Sequence, residues 1–302
     1  MSSSLFSKAK KSQAKARVAF SGPSGSGKTY WSLQMATELA DGGKIAVIDT
    51  ERSSASLYAD KFAFDTLSFS PPYNPQRLVE VLRVAEQEEY AVVVIDSLTH
   101  FWSGKGGTLE IVEEANARLN NSYRAWAVGT PIQQQMIDAL LSFNGHIVVT
   151  MRSKTEWAMD KNEKGKTEIR KVGLAPQQRD GIEYEFTLVF DIDAQHRASV
   201  SKTRCVALAD RTFTPANSQE ALDTFTTWLN AGEPLLDSNK RNAVENRIAN
   251  LNPETKSALK KAWSEANLPK VAQLTETRYQ EVIDLLTYIE GGDGEAEEVI
   301  PS

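Results

Sequence analysis

Hydrophobic residues occur along this chain in short unbroken runs and in helical stripes, and the alternation between the two predicts its elements. "ARVAFSG" (16–22) is an apolar run of strand length, and "KTYWSLQMATELADGG" (28–43) spaces its apolar residues as a helix does before stopping on glycine. "KIAVID" (44–49) is the next strand. Gln76–Glu89 carries Leu78, Val81, Leu82 and Ala85 on one stripe and predicts a helix. "AVVVID" (91–96) is apolar at successive positions, which suits a parallel strand covered on both faces. Thr130–Phe143 repeats the helical stripe and "GHIVVT" (145–150) the strand. Strands alternating with crossover helices predict an open α/β sheet.

Past Thr150 the pattern changes. Residues 151–176 are polar and charged, after which "EYEFTLVFDID" (183–193) and "RASVSKTRCVALA" (197–209) predict two strands that close the sheet with antiparallel edges. Asn217–Asn230 predicts a last helix, and "AGEPLLDS" (231–238) marks a boundary. The remainder reads as three or four short helices around Leu251, Leu259, Trp263, Leu268, Val271, Leu274, Val282 and Leu286, with almost no strand signal. No solenoid-length repeat is evident. The expected organisation is a basic arm (1–16), an α/β core (17–232), a small all-helical domain (233–290) and an acidic disordered tail (291–302).

Composition sets limits without changing this picture. At 302 residues and 41% apolar, the chain can bury a core of about 200 residues and still carry a smaller unit. Neither a signal-like run nor an apolar stretch of about 20 residues is present, so a soluble cytoplasmic protein with no membrane role is expected. The one cysteine, Cys205, excludes an intrachain disulfide and reads as a buried strand thiol. Charge is uneven within the net −6: residues 1–17 hold five Lys or Arg and no acid, whereas 291–302 hold four acids and no base. A basic arm of this kind either contacts phosphates or solubilises the chain.

The strongest local signal is "GPSGSGKT": Gly22, Pro23, Ser24, Gly25, Ser26, Gly27, Lys28 and Thr29. It has the full G-x-x-x-x-G-K-[ST] spacing between a predicted strand and a predicted helix. The glycines leave backbone N–H groups open to phosphate, Lys28 brings a charge to the outer phosphates, and Thr29 offers a hydroxyl to Mg2+. The expected ligands are therefore ATP and Mg2+. A second metal-side group must end a buried strand beside the loop, and Asp96 closes the more apolar candidate, "AVVVID". Asp49 also ends a strand and reads as supporting hydrogen-bonded structure. Glu51, two residues on, is the candidate general base for a water attacking the γ-phosphate, against the alternative of a capping or salt-bridged surface acid. Strand C-termini converge in a doubly wound sheet, which makes both positions admissible.

The P-loop, the "IDTE" (48–51) and the separate "VVVID" (92–96) resemble the core of RecA-like recombinase ATPases, whose catalytic glutamate follows the second strand. "TMRSKTEWAMDKNEKGKTEIRKVGLAPQQRDGIEYEFTLVFDID" (150–193) is similar to the matching region of small RecA-like ATPases of phages and prophages, among them single-strand annealing proteins of the Rad51 branch. The likeness covers about 16–213. It implies Glu51 as catalytic carboxylate, Asp96 as the Walker B acid, a DNA-stimulated Mg2+-dependent ATPase, and assembly into a homo-oligomeric ring or filament on single-stranded DNA.

Three further segments gain meaning beside that resemblance. Arg152–Lys171 holds seven bases against four acids: Arg152, Lys154, Lys161, Lys164, Lys166, Arg170 and Lys171, with Trp157 among them. Such a loop can touch phosphates and stack a base; the alternative is an exposed charged hairpin over a packed Trp157. In the family, loops after the third and fourth core strands face the DNA, the first corresponding loosely to Phe101–Trp126. Strand alternation places Lys202 and Arg204 on one face, resembling the finger that RecA-like oligomers extend to a neighbour's γ-phosphate; the alternative is a solvated charge pair. Thr150 and Arg152 are alternatives for the γ-phosphate sensor, a position where the family often has an amide. "FSKA" (6–9) has the F-x-x-A form by which Rad51-branch proteins dock on neighbours, but lies far closer to the P-loop than in those proteins. His100 and His146 lack metal-ligand spacing and read as packing or hydrogen-bonding residues.

The expected function is ATP-dependent single-stranded DNA recombination or annealing. Alternatives are a RecA-like helicase or helicase loader, or a nucleotide-regulated structural assembly protein; a metabolic phosphotransferase is disfavoured because no acceptor pocket or lid is legible. A single-strand DNA-binding protein or another phage recombination protein is a candidate partner, since the acidic end imitates the tips by which single-strand binding proteins recruit others.

Overall fold

The computed structural model describes residues 11–161 and 167–291, with side chains of 154–161, 167–175 and 238 excepted. The chain divides into two compact units, one of Lys15–Trp228 and one built from the flanking segments. In the first, the order is β1 (Arg17–Gly22), α1 (Lys28–Ala40), β2 (Ile45–Asp49), β3 (Asp65–Ser68), α2 (Pro75–Gln87) and β4 (Val92–Asp96). There follow α3 (Thr99–Ser103), α4 (Thr108–Leu119), α5 (Ser122–Ser142), β5 (His146–Lys161) and β6 (Thr167–Pro176). β7 (Leu188–Ile192), β8 (Ala198–Thr203), β9 (Thr212–Phe213) and α6 (Ser218–Asn230) complete it.

The sheet runs β3-β2-β4-β5-β1-β7-β8-β9, with β6 paired only to β5. Every pair from β3 to β7 is parallel. Pairs β7–β8, β8–β9 and β5–β6 are antiparallel. This is a mostly parallel sheet flanked by helices. β1 and β4 are buried at every position, as expected for strands covered on both faces. One side of the sheet buries Val93, Ile95, Ile147 and Val149 with Leu78 and Leu82 of α2 and Met136, Ile137 and Leu140 of α5.

Several expectations are corrected. β7 is a parallel neighbour of β1, so the antiparallel edge is β8 and β9 alone. Within the segments predicted as strand, residues 183–185 and 206–208 belong instead to short 3-10 helices, Ile182–Glu185 and Val206–Leu208; Cys205 is buried just before the second, its N–H donating to Thr203 Oγ1 at 2.9 Å. α5 begins eight residues before Thr130, at an Asn121 cap that accepts the Arg124 N–H at 3.0 Å, and runs through Pro131. α4 packs against it through Val112, Ala115 and Ala125, so a helical hairpin fills 108–142. His146 is buried, its Nδ1 accepting the Ala16 N–H at 3.0 Å, and burial pulls its pKa down to about 3.

The second unit contains α7 (Ser238–Asn250), α8 (Pro253–Glu265) and α9 (Tyr279–Glu290). Leu236, Val244, Leu259, Leu274, Val282 and Leu286 form its core, with Leu251, Trp263, Leu268 and Val271 packed against it. Asp237 and Asn252 cap α7 and α8 by accepting backbone N–H groups. Among the described residues no helix is long and apolar enough to cross a membrane.

Candidate nucleotide site

The chain leaves β1 at Gly22, turns through residues 23–27 and enters α1 at Lys28. Gly22 has no room for a side chain: a Cβ there would lie 2.6 Å from Ile192 O at the end of neighbouring β7. Gly27 caps α1 at φ 94°, a left-handed conformation that favours glycine, and no side chain caps the helix. The first N–H groups of α1 therefore have no intrahelical acceptor and point out of a positive helix end, which suits an anion. Ser26 Oγ, in the same turn, is buried and has no hydrogen-bond partner among the described residues. The Lys28 ammonium donates to Pro23 O at 2.8 Å. Burial lowers its pKa, while the Asp96 and Glu51 carboxylates act in the opposite sense.

Asp96 ends β4 within hydrogen-bond reach of this loop. Its Oδ2 accepts from Thr29 Oγ1 at 2.6 Å, and its Oδ1 from Thr150 Oγ1 of β5. Burial pushes the Asp96 carboxyl up from its ordinary value; the two hydroxyls pull it back, and Glu51 and Asp49 add repulsion. Among the described residues no three His, Cys, Asp or Glu gather as a metal cage. A hydroxyl and one buried carboxylate are instead the kind of sparse oxygen set that holds Mg2+ together with water and phosphate. The residues thus fit a nucleotide phosphate at the loop and a divalent cation between Thr29 and Asp96.

Glu51 stands on a turn that Asp49 organises. The Asp49 carboxylate, buried at the end of β2, accepts N–H groups from Glu51 (2.7 Å), Ser53 (3.2 Å) and Ala55 (2.9 Å). Arg52 and Ser53 consequently take left-handed backbone, at φ 59° and 63°. Thr50 links this turn to β4: its N–H donates to Asp96 O at 2.7 Å, and its Oγ1 accepts the Ser97 N–H at 2.7 Å. His100 Nδ1 lies 2.7 Å from the same oxygen, its ring stacked on Tyr73. Desolvation lowers the His100 pKa.

The Glu51 carboxylate meets the guanidinium of Arg152 in a two-pronged pair, Nε donating to Oε1 at 2.8 Å and Nη2 to Oε2. Burial by itself would raise the Glu51 pKa, but the hydrogen bonds and charge of Arg152, with a contribution from His100, hold it below its ordinary value. The same bonds raise the pKa of Arg152. The Arg152 N–H donates to Thr99 Oγ1 at 2.9 Å, so the residue is pinned at the root of the β5–β6 hairpin.

Other predicted residues lie further out. The backbone of Lys154, Trp157, Lys161, Arg170 and Lys171 forms that hairpin, Trp157 opposite Lys171 and Ala158 opposite Arg170. Lys164 and Lys166 lie outside the described residues, as do 6–9 and the acidic segment after 291. Lys202 is the penultimate residue of β8, beside a bulge, and its ammonium is tied to its own chain, donating to Tyr184 O at 2.6 Å and to Phe186 O. Arg204 falls one residue past the strand and is exposed, so the two cations do not share a regular strand face.

One neighbour of the P-loop escapes sequence reading. His196, at the β7–β8 turn, places Nδ1 3.0 Å from Ser26 O. The available signal is positional: Asp193 opens a polar turn at the C-terminal end of a strand that adjoins β1.

A family model described as "AAA domain" matches residues 14–228. No curated protein matches the chain. A solved structure described as that of the RadB recombinase is similar at 17% identity and a TM-score of 0.36, over 64% of this chain and 83% of that one.

Proposed function

The chain belongs to the AAA-domain family, and from that premise we propose that it is a Mg2+-dependent ATPase that acts on single-stranded DNA in recombination or annealing. The observation that carries the catalytic half is the convergence of the P-loop, the Thr29–Asp96 pair and Glu51 on one end of the parallel sheet. P-loop amides and Lys28 bind the phosphates. Thr29 and Asp96 hold Mg2+, which when bound neutralises charge on the phosphate oxygens. Glu51 accepts the proton of the attacking water, ATP and water giving ADP and phosphate.

The DNA half is supported by the bases of the β5–β6 hairpin, rooted at Arg152 against Glu51. A cation that leaves Glu51 for a DNA or nucleotide phosphate releases the carboxylate for its task, which gives DNA a direct route to stimulate hydrolysis. Completion of the site by a neighbouring subunit rests on Arg204 and Lys202. Of these Arg204 is exposed, whereas Lys202 must first leave the carbonyls of Tyr184 and Phe186. Phosphate release measured with and without single-stranded DNA, with electron microscopy of the same samples, tests activity, partner and assembly together. Hydrolysis indifferent to DNA, by a monomer, refutes the DNA and assembly parts; no ATP binding at all refutes the whole.

A further inference from the structure

His196 lies outside the groups assigned above, yet it touches the loop that holds the phosphates. The turn carrying it is tightly specified. Asp193 accepts the N–H groups of Gln195 and Arg197 at 2.9 Å and the Arg197 Nε at 2.7 Å, and the His196 N–H donates to Asp193 O at 3.1 Å. His196 itself has φ 64°, a left-handed conformation uncommon outside glycine and asparagine-like residues. That backbone delivers the ring to the P-loop. A Cβ built on Gly27 would sit 3.4 Å from His196 Nδ1, so the ring lies directly over the Ser26–Gly27 peptide. Ser26 O can only accept, so Nδ1 carries the proton and donates at 3.0 Å.

A trans peptide points its C=O and N–H in opposite directions. Anchoring the Ser26 carbonyl on His196 therefore turns the Gly27 N–H away from the histidine. We infer that His196 is a positioning residue for nucleotide binding: its Nδ1–H holds the Ser26–Gly27 peptide so that the Gly27 amide faces the phosphate cradle before the ligand arrives. This rests on the reading of the P-loop as the nucleotide site. Without the anchor the peptide is free to flip, and an outward carbonyl would then oppose the phosphate.

The test uses the full chain, ADP titrations and steady-state ATP hydrolysis. H196G keeps the left-handed turn and removes the donor; H196N keeps both, because asparagine tolerates this backbone and offers an N–H near the position of Nδ1. H196G is expected to weaken ADP binding and raise the KM for ATP by roughly three- to tenfold, the worth of one modest hydrogen bond, with kcat at saturation changed less than about twofold. H196N is expected to return ADP affinity to within about twofold of wild type. Imidazole 15N shifts of the wild-type protein, which has three histidines to assign, should show the Nδ1–H tautomer at His196 and need no variant to fold. An Nε2–H tautomer, unaltered ADP affinity in H196G, or H196N as weak as H196G overturns the inference. Failure of the wild type to bind ADP sinks the P-loop reading instead.

Discussion

Replacing Glu51 by Gln is the sharpest test of the proposed chemistry, because the structure separates its catalytic effect from its structural one. Gln keeps the shape and the backbone N–H that donates to Asp49, and its carbonyl can still accept from Arg152, but it cannot take a proton. General-base catalysis is worth about 10²–10⁴ in rate, so turnover at saturating ATP should fall at least a hundredfold, or about 2.7 kcal/mol of barrier. The stability effect is far smaller. Side-chain exposures of 46% for Arg152 and 24% for Glu51 leave the pair well screened, worth at most about 1 kcal/mol, or about 2–4 °C in Tm for a domain of this size. ADP affinity should be unchanged or slightly tighter, since a negative charge near the phosphates is gone. The assay is single-turnover phosphate release, with ADP titration and thermal melting on the same preparation. Wild-type turnover in the purified variant would refute the assignment. The pH dependence carries a sign as well. Burial raises the Glu51 pKa but Arg152 outweighs it, so while the pair is intact the carboxylate stays ionised below the ordinary glutamate value of about 4.3; once Arg152 leaves for a phosphate that opposition is lost, and the acid limb of DNA-stimulated activity should move to higher pH than that of the DNA-free enzyme. The small stabilisation from the pair is likewise fully present above that ordinary value and lost as pH falls through the lowered one.

K28A should weaken ADP and ATP binding as well as hydrolysis, since the ammonium neutralises phosphate charge; unchanged binding in calorimetry would count against the site itself. D49A removes the acceptor of three amides and should cost both roughly 1–3 kcal/mol of stability and most of the turnover, whereas retention of full activity would show that Glu51 does not depend on the turn. Replacing Lys161, Lys164 and Lys166 with alanine should weaken single-stranded DNA binding and reduce its salt dependence, through fewer released counterions; an unaltered salt slope would move the DNA path away from this hairpin.

Much of the architecture was legible because buried parallel strands demand unbroken apolar runs. "ARVAFSG", "KIAVID", "AVVVID" and "GHIVVT" all became neighbours in the sheet, and the stripe of Leu78, Leu82 and Ala85 is the buried face of α2. The hairpin of α4 and α5 was not legible, because its contact is made by small residues, Ala115 and Ala125 with Gly129, and Pro131 interrupts the pattern in the middle of a continuous helix. The antiparallel edge expected of β7 is not met because strand direction is a matter of pairing. Nothing in "TLVFDI" says that its partner will be β1 and run the same way.

The candidate site divides along the same line. The roles proposed for the P-loop residues, Asp96 and Glu51 rest on residue type and local spacing, since a phosphate loop is a contiguous device whose glycines, lysine and hydroxyl must stand in fixed order. Contacts between distant segments are a different matter. That Thr150 and Thr29 both meet Asp96, that Arg152 holds Glu51 across 101 positions, and that His196 reaches Ser26 across 170, depends on which strand ends lie side by side. Side-chain reach is a few ångströms, so such contacts exist only once the strand order β2-β4-β5-β1-β7 has brought five C-terminal ends to one edge of the sheet.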